Sequence, residues 1–79
     1  MDTDTIIGML TGGEEDFNIG KEIIRNNLEL KLFTPEQIVD ILDEVWWKLV
    51  THKEIERYQE LNTIVTNYLV IISRFKQSD

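Results

Sequence analysis

Residues 64–72 read IVTNYLVII, and the secondary structure of this stretch decides the fold. Its β-branched residues favour a strand. In wider context, however, Tyr58, Leu61, Val65, Tyr68, Ile72 and Phe75 recur in steps of three and four across almost three heptads. That is the spacing of one helix face, and strict alternation does not match it. The stretch is therefore read as helix. Ile64, Leu69 and Ile71 widen the stripe beyond a narrow two-helix seam, as expected of a central helix in a bundle. Val70 falls opposite the stripe, so the turn Leu69–Ile72 is apolar on every side.

Upstream, Thr34-Pro35-Glu36-Gln37 is the clearest local signal. Thr34 fits the N-cap, Pro35 the first helical position, and Gln37 the reciprocal position of a capping box. The helix that follows places Ile38, Ile41, Leu42, Val45, Trp46 and Leu49 on one broad apolar arc. At 100° per residue this arc and the Tyr58–Phe75 stripe are out of phase by roughly 140°. A break near Thr51 is expected, with Thr51-His52-Lys53-Glu54 as a second capping box. One long helix burying different faces is the alternative.

Nearer the N-terminus, Phe17, Gly20, Ile24 and Leu28 share a face of a helix opening at Glu14. Gly20 costs that helix about 1 kcal/mol relative to Ala, which a close crossing by another helix would offset. Asn26-Asn27 offers that helix an end, and LELKLF (28–33) reads as helix end or connector, because a lone strand has nothing to pair with. Asp2 or Asp4 caps a short first helix, and Gly12-Gly13 stops it. The expected fold is all-α: a single domain, 1–79, forming a bundle of three to four helices near 4–11, 14–29, 35–50 and 52–75.

Composition narrows the function. The 79 residues hold 15 acids and eight bases, for a net charge of −7, with no cysteine. One small domain fits this length. Disulfide and Cys-ligated zinc folds are excluded, and 42% apolar residues argue against disorder. The acidic N-terminus is unlike a leader, and the longest apolar run, Leu69–Ile72, is far short of the ~20 residues of a membrane span. A cytoplasmic protein without membrane contact is expected. The bases are scattered singly, so direct nucleic-acid binding is disfavoured. Eleven Ile and no Ala suggest a low-GC gene, such as that of a phage or mobile element. Most of the charge, −5, sits in residues 1–20.

Catalytic patterns are missing. His52 is the single histidine, and the only serines are Ser73 and Ser78, so no nucleophile–base pair is evident. Gly12-Gly13-Glu14-Glu15-Asp16-Phe17 has one residue too many for the GGEEF signature of diguanylate cyclases. Glu14, Asp16 and Asn18 alternate like an EF-hand loop, but Gly20 comes one position late and Arg25 stands where the bidentate Glu belongs. Gly20-Lys21-Glu22 lacks the Walker spacing. Neither catalysis, cofactor nor metal is expected.

Binding is the remaining reading. Trp47 points about 160° from the centre of its helix's apolar arc, beside Glu36, Asp40 and Asp43. Packing inside the bundle is the favoured expectation, since a continuous helix would align Trp47 with the Tyr58–Phe75 stripe. The alternative is a solvent-facing aromatic ringed by carboxylates, the composition of a binding hot spot. Glu36, Asp40 and Glu44 form a ladder in which Lys48 can pair with Glu44. The expected function is a small acidic protein–protein interaction module: an adaptor, assembly factor or inhibitor. Its partner would be another protein with a basic or apolar-pocketed surface. The candidate contact set is Trp47, Glu36, Asp40 and Asp43 with Glu14, Glu15 and Asp16. A nucleic-acid mimic that blocks a DNA- or RNA-binding enzyme is the alternative. Tyr68, Val70, Ile72 and Phe75 are the expected interface of a homodimer, because so small a domain gains core by self-association.

Overall fold

Thr34 and Gln37 build the capping box that the sequence predicts. In the computed structural model, which describes residues 1–77, the Gln37 N–H donates to Thr34 Oγ1 at 3.1 Å and the Thr34 N–H to Gln37 Oε1 at 2.9 Å. Helix α4, Pro35–Thr51, starts there. Before it come α1 (Thr3–Leu10), α2 (Glu14–Arg25) and the single turn α3 (Asn27–Leu30); α5 (Ile55–Gln77) follows. No strand occurs among the described residues, so the IVTNYLVII stretch is helix and the fold is an all-α bundle. Helix α4 packs on α5, α1 on α2 and α4, and α2 on α5.

The core is made of Ile6, Leu10, Phe17, Ile24, Phe33, Ile38, Ile41, Val45, Leu49, Leu61 and Val65. Gly20 lies where α1 crosses α2. A Cβ on it would meet Leu10 Cδ2 at 3.1 Å and Met9 Cβ at 3.2 Å, so its bare backbone permits the approach. The α1–α2 turn is tied to α5 by Arg57, which donates to the Gly12 carbonyl at 2.8 Å with its guanidinium 4.8 Å from the Phe17 ring centroid. Lys21 approaches the same ring at 5.4 Å and pairs with Glu60 at 3.0 Å. Asp2 caps α1, its carboxylate accepting from the Thr5 N–H at 2.8 Å. Hydrogen bonding to Thr5, side chain before backbone, holds the Asp2 pKa below the usual carboxylate value. The stabilisation from this cap is therefore present at neutral pH and lost as pH falls through that lowered value.

Several expectations need correction. The helix expected over 14–29 ends at Arg25, and Asn26 is its C-cap. The following turn buries Asn27, not Leu28, which stays partly exposed. The amide of Asn27 donates to the Phe33 carbonyl (3.0 Å) and the Tyr68 hydroxyl (3.2 Å), and its oxygen accepts from the Phe33 N–H (3.0 Å). These bonds replace the backbone partners that an irregular connector lacks. The chain does break after Thr51, but not through a capping box. Thr51 is the last residue of α4, with its hydroxyl donating to the Trp47 carbonyl. Glu54 N–H bonds to the Leu49 carbonyl at 2.7 Å and Lys53 N–H to that of Val50 at 3.0 Å. With Lys53 at φ 61°, this is a Schellman closure made without glycine. Helix α5 accordingly opens at Ile55 rather than near 52.

No helix among the described residues is long and apolar enough to cross a membrane.

Candidate partner-binding surface

The capping box fixes where α4 starts, and the buried apolar arc decides which side chains face out. With Ile38, Ile41, Val45 and Leu49 buried, a 100° step per residue turns Glu36, Asp40, Asp43 and Trp47 to the opposite side. Trp47 is 68% exposed. It is not core, which corrects the favoured expectation. That expectation needed α4 and α5 to be continuous, and the turn at residues 52–54 resets the phase between them. Trp46 also departs from its expected place in the buried arc: it is 36% exposed, at the arc's edge. The two indoles meet edge-to-face, centroids 4.6 Å apart and planes at 81°, a favourable aromatic geometry. Val50, one turn on, is exposed as well.

A groove runs beside Trp47 between α1 and α4. One wall is Thr3, Asp4, Ile7 and Gly8; the other is Asp40, Ile41, Asp43, Glu44, Trp47 and Lys48. Gly8 adds no side chain, and a Cβ built there meets nothing within 4 Å. Four carboxylates thus border the groove against the ammonium of Lys48. The expected Glu44–Lys48 pair does not form: the ion pairs among the described residues are Lys21–Glu60, Arg25–Glu22 and Arg57–Glu54. No group of three or more His, Cys, Asp or Glu among the described residues is placed to hold a metal ion. The arrangement offers an aromatic anchor and a field of negative charge.

The structure brings together only part of the expected contact set. Asp40, Asp43 and Trp47 share the groove, and Glu36 lies on the same helix face outside it. Glu14 and Glu15 border a separate depression along α2, with Asn18, Ile19 and Glu22; Asp16 is beside Gly12. No residue of α2 lines the Trp47 groove, so Glu14, Glu15 and Asp16 are a different surface. Asp4 and Gly8 were not picked out from the sequence, because nothing in the linear pattern sets α1 against α4. On α5, Tyr68 and Ile72 are half-buried, while Val70 and Phe75 are exposed.

No family model matches the chain, and no curated protein or solved structure resembles it closely enough to show kinship.

Proposed function

We propose that the protein is a small acidic interaction module that docks a larger protein through the outer face of α4 and performs no chemistry of its own. The observation that carries this reading is the exposure of Trp47 at 68% beside a groove bordered by Asp4, Asp40, Asp43 and Glu44. An exposed tryptophan surrounded by polar groups matches the composition of interface anchors. The carboxylates select a partner whose rim is basic and whose centre is an apolar pocket for the indole. Adaptor, assembly factor and inhibitor are all roles such a surface serves.

The test uses the protein and its Trp47→Ala variant as paired baits against a host-cell extract, with bound proteins identified and their affinity then measured. A specific partner should bind the parent chain and lose about 2 kcal/mol or more with the variant, while both baits remain folded at the binding temperature. Binding should survive moderate salt, since its centre is apolar. A partner whose affinity is unchanged by Trp47→Ala would remove the anchor from the reading. Binding that collapses with salt and is displaced by DNA would replace it with nucleic-acid mimicry.

A further inference from the structure

Fifteen of the 79 residues are carboxylates, yet residues 61–75, LNTIVTNYLVIISRF, contain none and only one base, Arg74. This segment is also where α5 leaves the core. Among the described residues of the helix, Leu61 and Val65 are the buried ones, whereas Val70, Ile71 and Phe75 are 44%, 38% and 62% exposed. One flank carries Ile64, Tyr68, Ile71 and Phe75 in steps of four, three and four, the spacing with which two helices interlock along a seam. Ile64, Tyr68 and Ile71 line a shallow groove whose far wall is Arg25 and Leu28.

We infer that this flank of α5 is a self-association seam, occupied by the same flank of a second copy of the chain in antiparallel, two-fold symmetric pairing. The inference is independent of the Trp47 reading. Three observations select a second copy. The first is self-complementarity, which a two-fold contact requires: antiparallel pairing sets Phe75 of one copy against Ile64 of the other and Tyr68 against Ile71, each contact made twice. The second is charge. A chain of net charge −7 repels its copy over most of its surface, but α5 brings no carboxylate to this seam, and Arg25 beside it is held by Glu22 at 2.7 Å.

The third observation is area. Ile71 and Phe75, with Leu28 exposed on the neighbouring turn, present on the order of 250 Å² of apolar side chain. That is about a third of the ~800 Å² per partner of a standard interface. The result is a weak dimer that forms with rising concentration.

Sedimentation equilibrium on the full chain tests this between about 10 μM and about 1 mM. The expected weight-average mass climbs from 9.3 kDa toward twice that value, and added salt maintains or strengthens the association by screening the repulsion. Ile71→Glu should weaken the dimer more than tenfold. Val70→Glu adds the same charge in a different groove, with Thr66, Leu69 and Ser73, and should change Kd by about twofold or less. Both side chains are partly exposed in the single chain, so dilute samples should keep the parent melting temperature; if Ile71→Glu melts early, Ile71→Gln carries the same test. A monomer throughout the range overturns the inference. So does an association untouched at Ile71, or one that Val70→Glu disrupts as strongly.

Discussion

The two ends of α4 are closed by opposite means. At its start, side chains do the closing: Thr34 and Gln37 cap the helix, and Asn27 holds the Phe33 backbone through both its N–H and its carbonyl. Phe33 itself is buried. At its finish, the chain reverses on backbone bonds from Lys53 and Glu54. Of the apolar side chains around that reversal, Leu49 is buried, whereas Trp46, Trp47, Val50 and Ile55 stay at the surface. An end closed by side chains has committed them to folding. An end closed by backbone leaves more of them available, and Trp47 lies at that end.

The most severe way to break this contrast is at the committed end. Asn27 is 1% exposed, and Asn27→Ala strands the N–H and carbonyl of Phe33 and removes a donor to Tyr68. Orphaned buried groups cost about 1–3 kcal/mol each, so a loss of about 3 kcal/mol is expected. A domain of this size should then melt roughly 10–20 °C lower; a change of only a degree or two would show that water satisfies the connector equally well. Thr34→Ala removes one capping bond and should cost about 1 kcal/mol, read as a smaller shift in the same melt. At the other end the expected sign reverses. Lys53 occupies the left-handed region at φ 61°, which costs a non-glycine residue about 1–2 kcal/mol. Glycine removes that cost while adding about 0.5–1 kcal/mol of chain entropy. Lys53→Gly should therefore stabilise by about 0.5 kcal/mol, and destabilisation would mean that the Lys53 side chain supports the turn.

The same contrast explains what could be read from the sequence. Helical spacing at Tyr58–Phe75 and the capping box at Thr34 are local patterns, and local patterns translate directly into α4 and α5. Gly20 was legible because glycine on a buried helix face demands a close neighbour, and Leu10 supplies it. The break after Thr51 was legible as a phase offset, but its mechanism was not, since a Schellman closure on lysine leaves no residue signature. Asn27 was invisible: an Asn-Asn pair marks a helix end, and nothing local sets it beside Tyr68, 41 residues away. The acid-bordered groove was half legible. Asp40, Asp43 and Trp47 share a helix face by periodicity alone, whereas Asp4 reaches them only through the packing of α1 on α4.

A small expected effect on stability is the most informative. Trp47 lies three residues after Glu44 and two before the buried Leu49, and a sequence reader would give it a core residue's cost on truncation, about 3–5 kcal/mol. The structure sets most of its surface in water, with an edge-to-face pairing with Trp46. Trp47→Ala should therefore shift stability by no more than about 0.5–1 kcal/mol, the loss of that ring pair. Chemical denaturation of parent and variant measures this directly, and Trp46 fluorescence remains to follow the transition. A loss above about 2 kcal/mol would place Trp47 in the core and remove the exposed anchor. A near-neutral result leaves a large aromatic held in water that adds little to folding, as the proposed anchor requires.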